Sequence, residues 1–270
     1  MSDLGLTTRQ VRFQNKAFWR NPAAAFFTFA FPLMFLVIFT SLFGNDSICL
    51  GEEIPGEGCP AALQISTSTF YVASITAFSV ITACFTNIAM GVAFSREEGT
   101  LKRLRGTPLP GWSYLSARVV HAIFVTLLLV GICVAFGALF YDASVPTDTL
   151  PEFLVALVVG AAAFCALGLA ATALIPNADA APAVVNAMVL PLLFLSDVFI
   201  PLRENAPAFV EWIRTAFPVW HFVEALVAAY FPLPGEATFL WKDLLVVGAW
   251  GVAGILLAVR FFRWEPKGGR

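Results

Sequence analysis

Charged residues are scarce in this chain. Asp, Glu, Lys and Arg make up 13% of its 270 residues, whereas hydrophobic residues make up 59% and the mean hydropathy is +0.81. Ordinary soluble domains carry about 25% charged residues, so water is not the main solvent of this chain. The composition therefore excludes most soluble enzymes and predicts a membrane protein.

Six apolar runs lie between the charged clusters, and each is close to the roughly 20 residues that cross a bilayer as a helix. One such run could be a buried core helix, but six would need an implausibly large soluble shell around them. We therefore predict an all-α membrane protein with six transmembrane helices, at residues 23–43, 69–94, 119–140, 153–175, 182–199 and 244–262.

Lys and Arg are missing from the loop at 44–67, and the loop at 141–152 carries only acidic charges. Thirteen of the 16 cations lie in three segments, 9–20, 96–118 and 260–270. Because cytoplasmic loops are enriched in Lys and Arg, this alternation predicts that both termini are cytoplasmic.

Cysteine is also rare, with five residues. Cys49 and Cys59 share the first external loop, where an oxidising compartment permits a disulfide. Free thiols in a flexible loop are the alternative. The other three cysteines fall inside predicted spans.

The residues of nucleotide, metal and hydrolytic chemistry are missing too. None of the four lysines follows a glycine, so the chain has no P-loop, and any ATP that drives it must be bound by another chain. The two histidines, His121 and His221, lack the clustered ligands of a metal site, and no nucleophile elbow accompanies them. We predict that the chain is not an enzyme, has no metal site and does not bind nucleic acid.

The polar interruptions between the spans carry the remaining information. Residues 1–22 are typical of an interfacial helix, although a plain positive anchor is the alternative. The segment at 95–118 begins as a short cytoplasmic helix, in which Glu98 and Lys102 are expected to pair at helical spacing. Prolines divide 200–242 into pieces too short to cross, which predicts re-entrant helices at 209–217 and 220–231, with an ordinary external loop as the alternative.

A few polar side chains inside the spans are candidates for a translocation path. Helix packing is the competing interpretation for those in the second span. Asp197, at the outer end of the fifth span, either belongs to an outer gate or reaches the water interface. The candidates are Thr82, Thr86, Asn87, Asn186, Ser196 and Asp197.

Two stretches resemble the type-2 ABC exporter permeases. The first is REEGTLKRLRGTPLP at 96–110, similar to that family's cytoplasmic loop, where a short coupling helix meets the ATPase. The second is 186–226, whose Pro, Phe-Leu-Ser and Phe-Ile-Pro-Leu pattern is similar to span five and the outer re-entrant helices. Asp197 departs from the family, which usually has Gly after that Ser.

The resemblance implies one transmembrane domain over 1–270, with an interfacial helix at 1–22, spans one to five at 23–199, an outer re-entrant segment at 200–242, and span six with a cytoplasmic tail at 243–270. It implies a multi-pass protein of the bacterial cell (inner) membrane that pairs with a second copy or homologue. ATP and Mg would come through an ATP-binding cassette subunit. Coupling residues implied by the resemblance are Arg96, Glu97, Glu98, Gly99, Thr100, Leu101, Lys102, Arg103 and Arg105.

Many Phe and few fixed charges in the spans favour export of an amphipathic or apolar substrate, such as a drug-like metabolite, an antibiotic or a lipid. Polysaccharide or lipid-linked glycan exporters share the same layout and stay open as an alternative. A membrane anchor or sensor subunit that transports nothing is the second alternative.

Overall fold

The computed structural model describes residues 3–44, 46–49, 59–60, 63–107, 109–199, 208–232 and 238–265. Several predicted features lie outside these residues: the acidic part of the first external loop at 50–58, Pro108 of the coupling motif, and Pro201, Pro207 and Pro234 of the broken segment.

The described residues form eleven helices and two short strands. A π-helical turn at Thr82–Thr86 joins α3 to α4, so these two helices make one long rod. The elements are α1 Asp3–Trp19, α2 Pro22–Phe43, β1 Ser47–Cys49, β2 Gln64–Ser66, α3 Thr67–Ile81, α4 Asn87–Glu97, α5 Thr100–Arg105, α6 Gly111–Tyr141, α7 Leu150–Ala171, α8 Ala181–Leu195, α9 Ala208–Ala216, α10 Pro218–Tyr230 and α11 Trp241–Phe261.

Five of these are long and apolar enough to cross a bilayer: α2, the α3–α4 rod Thr67–Glu97, α6, α7 and α11. They match five of the six predicted runs, and the chain is a multi-pass membrane protein. The sixth run corresponds to α8, whose 15 apolar residues extend only about 22 Å at the helical rise of about 1.5 Å per residue. The predicted span at 182–199 is too long, because the helix ends at Leu195 and Asp197 adopts a φ of 56°.

The two ends of the bundle differ in character, and we name them by their contents. At one end Cys49 and Cys59 form a disulfide, with their Cα atoms 5.8 Å apart, beside the antiparallel pair of β1 and β2. This bond confirms the predicted pairing, and we call this end the disulfide end. The other end carries α1, α5 and the residues after α11, and we call it the basic end.

The α9–α10 hairpin enters the bundle from the disulfide end. Thr149 and Ser144, in the loop between α6 and α7, bond to the last carbonyl groups of α10, at Ala229 and Tyr230. The opposite tip of the hairpin bonds to Trp250, nine residues into α11 and about 14 Å along its axis. Two helices are therefore present where the sequence predicts them, and the second, α10, packs against α3, α7 and α11.

A close backbone contact joins α7 to α11. A Cβ atom at Gly254 would lie 2.9 Å from the backbone of Ala166 and Leu167, and one at Gly251 would lie 3.0 Å from Ala163. Small residues let helix backbones approach closely in a membrane, where dispersion forces replace the hydrophobic effect between helices. This pair of glycines therefore sets the distance between the two helices.

We expect Gly254→Ala to lower the free energy of unfolding by about 1–3 kcal/mol, because the added methyl group meets backbone that cannot move aside. Gly248→Ala is the matched control on the same helix, since a Cβ atom there meets no atom within 4 Å. Thermal unfolding in detergent should show a loss for the first variant and no loss for the second. Equal behaviour of the two would contradict the proposed contact.

Candidate functional site

The predicted coupling segment, residues 96–105, forms an elbow between α4 and α5. Gly99 has a φ of 71°, a conformation that residues with a Cβ rarely adopt, and it turns the chain between the two helices. Glu98 is the C-cap residue that follows α4 and Lys102 lies in α5, so they do not share one helix. The expected helical pairing of these two residues is wrong because the helix breaks at Gly99.

Arg96 fastens this elbow to the bundle. Its side chain is 1% exposed, and its Nη1 and Nη2 atoms donate hydrogen bonds to the carbonyl groups of Thr172 and Ile175, at 3.1 and 2.5 Å. These carbonyl groups follow the last turn of α7, where a helix leaves its final oxygens without internal partners. The guanidinium group therefore caps α7 and ties the coupling segment to it.

The nine predicted coupling residues divide between interior and surface. Arg96 and Leu101 are buried, so their side chains hold the elbow in place and do not form its outer surface. Gly99 and Thr100 are partly exposed. The five with exposed side chains are Glu97, Glu98, Lys102, Arg103 and Arg105, the residues expected to make polar contacts with a partner.

Trp264, three residues after the end of α11, lies close to the elbow. Trp264 packs against Gly111, where a Cβ atom would lie 2.5 Å from the indole ring. The same ring borders a cavity of about 280 Å³ that Leu104, Arg105 and Tyr114 also line. The residues after α11 and the end of α5 therefore border the same cavity.

The six predicted path residues fall in different surroundings. Thr82 and Thr86 begin and end the π-helical turn, and the Thr82 hydroxyl donates back to the carbonyl groups of Phe78 and Ser79. Asn186 is exposed on α8. Asn87 opens into a space of about 280 Å³, the polar cavity, whose polar lining is Gln14, Asn21, Thr28, Asn87, Arg118 and His121.

Ser196 and Asp197 are buried at the disulfide end of α8. Asp197 is 0% exposed and forms an ion pair with Arg214 of α9, which is 8% exposed and lies 5.5 Å from the Trp220 ring centroid. The idea that Asp197 reaches the water interface is therefore wrong. Its φ of 56° is a conformation that suits Gly and that Asp tolerates, which accounts for the departure from the Gly of the resembled family.

Two side chains satisfy the backbone at the tip of the α9–α10 hairpin. Trp250 Nε1 donates to the Ala216 carbonyl at 3.0 Å, and His221 Nε2 lies 3.0 Å from the Thr215 carbonyl oxygen. His221 Nδ1 lies 2.6 Å from Asp243 Oδ1. Because both ring nitrogens face oxygen acceptors, the doubly protonated imidazolium satisfies both contacts. The hydrogen bond to Asp243 raises the pKa of His221 above 6.5.

Sequence reasoning missed the partners of these groups. No role was predicted for Arg214, Trp250 or His221. Arg118 and His121 are three residues apart in α6, so their side chains share one face of the helix. This pair of polar residues in an apolar helix is the signal that could have revealed the polar cavity.

An apolar cleft of about 510 Å³ opens on the side of the bundle. Its walls come from the π-helical turn, α7, α8 and α11, and the α9–α10 tip forms part of the lining. A volume of this size lies in the range of small-molecule sites. We call it the apolar cleft; its lining includes Phe85, Phe164, Met188, Leu192, Phe217 and Trp250.

Comparison with known proteins decides the family. A family model described as ABC-2 type transporter matches residues 7–231, from α1 to the end of α10. The chain belongs to this family. ABC-2 permeases are transmembrane subunits of ABC transporters, and a separate ATPase subunit hydrolyses ATP. The prediction of a permease that is not itself an enzyme is thereby confirmed.

Curated relatives of this ABC-2 permease carry transport names. The putative transport permease YvfS of Bacillus subtilis (strain 168) is 24% identical over 240 residues, which cover 88% of this chain and 89% of that protein. The putative transport permease ycf38 of Porphyra purpurea is 27% identical over 260 residues, covering 89% and 84%. The probable multidrug ABC transporter permease YbhR of Escherichia coli (strain K12) is 25% identical over 175 residues, covering 65% of this chain and 47% of that protein.

We expect Asp197→Gly to lower the free energy of unfolding of this permease by about 3–5 kcal/mol, because Arg214 would stay buried without its partner. Gly suits the local φ, so backbone strain does not contribute to the loss. The double variant Asp197→Gly with Arg214→Met should recover much of this loss. Thermal unfolding of the single and double variants measures the coupling, and strictly additive losses would argue against the pair.

We expect the stability of the permease to depend on pH through His221. A folded pKa above the unfolded value of about 6.5 stabilises the protein fully below that pH, and the stabilisation is lost as pH rises through the folded pKa. The melting temperature should therefore fall as pH increases above 6.5, and His221→Asn should flatten this slope. His121→Asn, at the only other histidine, is the control. An unchanged slope in His221→Asn would refute the assignment.

Proposed function

We propose that this chain is the permease subunit of an ATP-driven exporter that moves an amphipathic or apolar substrate out of the cytoplasm or inner leaflet. A separate ATP-binding cassette subunit supplies ATP and Mg, and it docks on the elbow between α4 and α5. The proposed substrate is a drug-like metabolite, an antibiotic or a lipid.

The elbow is the observation that carries this proposal. It presents five charged side chains of both signs on its surface, while Arg96 and Leu101 hold it to the interior. A force on the elbow reaches α7 through two hydrogen bonds from Arg96, and α7 lies in backbone contact with α11. Such a rigid connection suits a part that transmits motion from a partner to the membrane helices.

The charge distribution supports an orientation with the basic end in the cytoplasm. The described parts of the three cationic segments, 9–20, 96–107 with 109–118, and 260–265, lie at or beside the basic end, whereas the disulfide belongs to the opposite end. Positive-inside asymmetry and the redox preference of disulfides agree on this choice. We therefore infer that both termini are cytoplasmic and that the protein lies in a bacterial cell membrane.

The apolar cleft supports an apolar or amphipathic substrate. Its lining is almost entirely hydrophobic, and the adjacent π-helical turn is a helix irregularity of a kind that often marks functional sites. The multidrug name of the relative YbhR points the same way. Drug efflux, with antibiotic resistance as its consequence, is the form of export that this combination favours.

Two further features support assembly with a second permease copy. Asn186 is exposed on the apolar helix α8, and amides exposed to hydrocarbon are costly unless another helix or water satisfies them. Most of α2 is also uncovered, including Phe26, Phe27 and Phe31. We infer that α8 crosses the membrane as the sixth span with help from this second copy.

Charge reversal of the elbow tests the proposal. In reconstituted complexes with the ATPase subunit, Glu97→Lys with Glu98→Lys should weaken subunit binding and substrate-stimulated ATP hydrolysis by about tenfold, because reversed charges meet like charges at the interface. Binding is measured by co-purification and coupling by ATP hydrolysis with and without substrate.

The matched control reverses two exposed carboxylates, Asp148→Lys with Glu211→Lys, near the disulfide end. It changes net charge by the same amount away from the elbow and should leave hydrolysis unchanged. If the elbow variant binds and couples as the wild type does, docking at this segment is excluded.

A further inference from the structure

The polar cavity lies between four helices near the basic end. Gln14 and Asn21 come from α1 and its junction with α2, Asn87 comes from α4, and Arg118 and His121 come from α6. Arg118 is seven residues into α6, about 10 Å from its first residue. The cavity thus lies about two turns from the end of α6, a helix long and apolar enough to cross a bilayer.

Several side chains with N–H donors line the polar cavity. Arg118 is a cation, and the amide groups of Gln14, Asn21 and Asn87 each carry two N–H donors. Among the described residues that line the cavity there is no carboxylate. The chemistry of the lining therefore favours an acceptor-rich ligand with negative charge.

Among the described residues, Arg118 donates hydrogen bonds only to neutral groups. Its Nη1 atom donates to the Tyr114 hydroxyl at 2.8 Å, the Gly91 carbonyl at 3.0 Å and the Ser95 hydroxyl at 3.1 Å. A cation at membrane depth is costly unless an opposite charge or water accompanies it. Arg118 thus has its hydrogen bonds but lacks an anion.

His121, which also lines the polar cavity, has a polar atom without a partner. Its Nδ1 atom is buried and has no hydrogen-bond partner in the described structure, while Phe18 packs edge-on against the ring. Leaving a buried polar atom unsatisfied is unfavourable, so a bound group that supplies a partner stabilises the fold.

The rest of the lining is apolar, with Phe18, Ile88 and Val125 among its residues. The cavity therefore offers a polar region beside an apolar wall, as an amphiphile requires. Lys16 and Arg20, exposed on and just after α1, add positive charge near the same end. A phosphate diester joined to acyl chains matches both parts of this surface.

We propose that the polar cavity binds the anionic headgroup of a phospholipid from the leaflet at the basic end. The phosphate lies beside Arg118 and His121, and the bound lipid stabilises the packing of α1 against α6. This inference does not rest on export or on any ATPase partner, because it concerns the permease chain and its bilayer.

Delipidated full-length protein in detergent is titrated with phosphatidylglycerol, phosphatidylcholine or inorganic phosphate. Native mass spectrometry counts the lipid molecules that stay bound. The melting temperature is measured at each ligand concentration, and the midpoint is the concentration at which half of its total rise is reached. We expect phosphatidylglycerol to be retained at a midpoint about tenfold below that of phosphatidylcholine, the difference expected for one charge-assisted hydrogen-bonding site. Equal midpoints for the two lipids would overturn the proposal, as would a full response to phosphate alone, which would identify a free-anion site.

The variants locate the site. Asn87→Leu with His121→Phe should raise the phosphatidylglycerol midpoint about tenfold, because the double variant removes two polar groups from the cavity lining. Neither residue is a hydrogen-bond partner of Arg118, so the hydrogen bonds of Arg118 are kept. Arg118→Gln should do the same, and the double variant keeps the test valid if Arg118→Gln does not fold. Arg12→Gln removes an exposed cation of α1 outside the cavity lining and should leave the midpoint unchanged. A midpoint that shifts in Arg12→Gln but not in the double variant would refute the location.

Discussion

Several helices of this bundle end where other parts of the protein cover the chain, and their last carbonyl groups need partners there. A helix leaves these final oxygens without internal partners, so the partners come from neighbouring segments of the chain. Arg96 caps α7, His221 and Trp250 cap α9, and Thr149 bonds to the last turn of α10. Since each cap belongs to a different segment from the helix it serves, each also ties two parts of the fold together.

The same requirement explains why a broken hairpin is stable inside an apolar bundle. The chain turns at Phe217 and Pro218, where the series of backbone hydrogen bonds that runs through a spanning helix is interrupted. Phe217 stacks on Trp250, so one indole supplies both a ring contact and a hydrogen bond at the turn. The irregular backbone is tolerated because it is covered by protein.

Local signals in the sequence were enough to predict much of this architecture. Apolar runs and prolines depend on nearby residues only, so five spans, the short helix α5 and the two helices of the hairpin are found where they were expected. The disulfide followed from two cysteines in one loop. The coupling motif was recognised by its pattern, and its exposed charges, such as Glu97 and Lys102, are at the surface as a docking role requires.

Long-range pairing could not be predicted in the same way. Asp197 and Arg214 are 17 positions apart, and His221 and Asp243 are 22 apart, so only the packing of helices reveals that they meet. Arg96 belongs to a basic motif, yet its side chain points into the bundle. It does so because the carbonyl groups that it binds lie just after the end of α7, which the local sequence does not reveal. The length of α8 was overestimated for a similar reason, since the helix ends at Leu195 and Asp197, two residues later, pairs with Arg214 of α9.

The close contact between α7 and α11 also has a mechanical meaning. Backbones in direct contact leave no soft side-chain layer to compress, so the two helices behave as one stiff beam. In contrast, α8 meets α4, α9 and α10 along limited stretches and borders the apolar cleft. We therefore expect a force on the elbow to move α7 and α11 together, and α8 to be the first helix to shift relative to them.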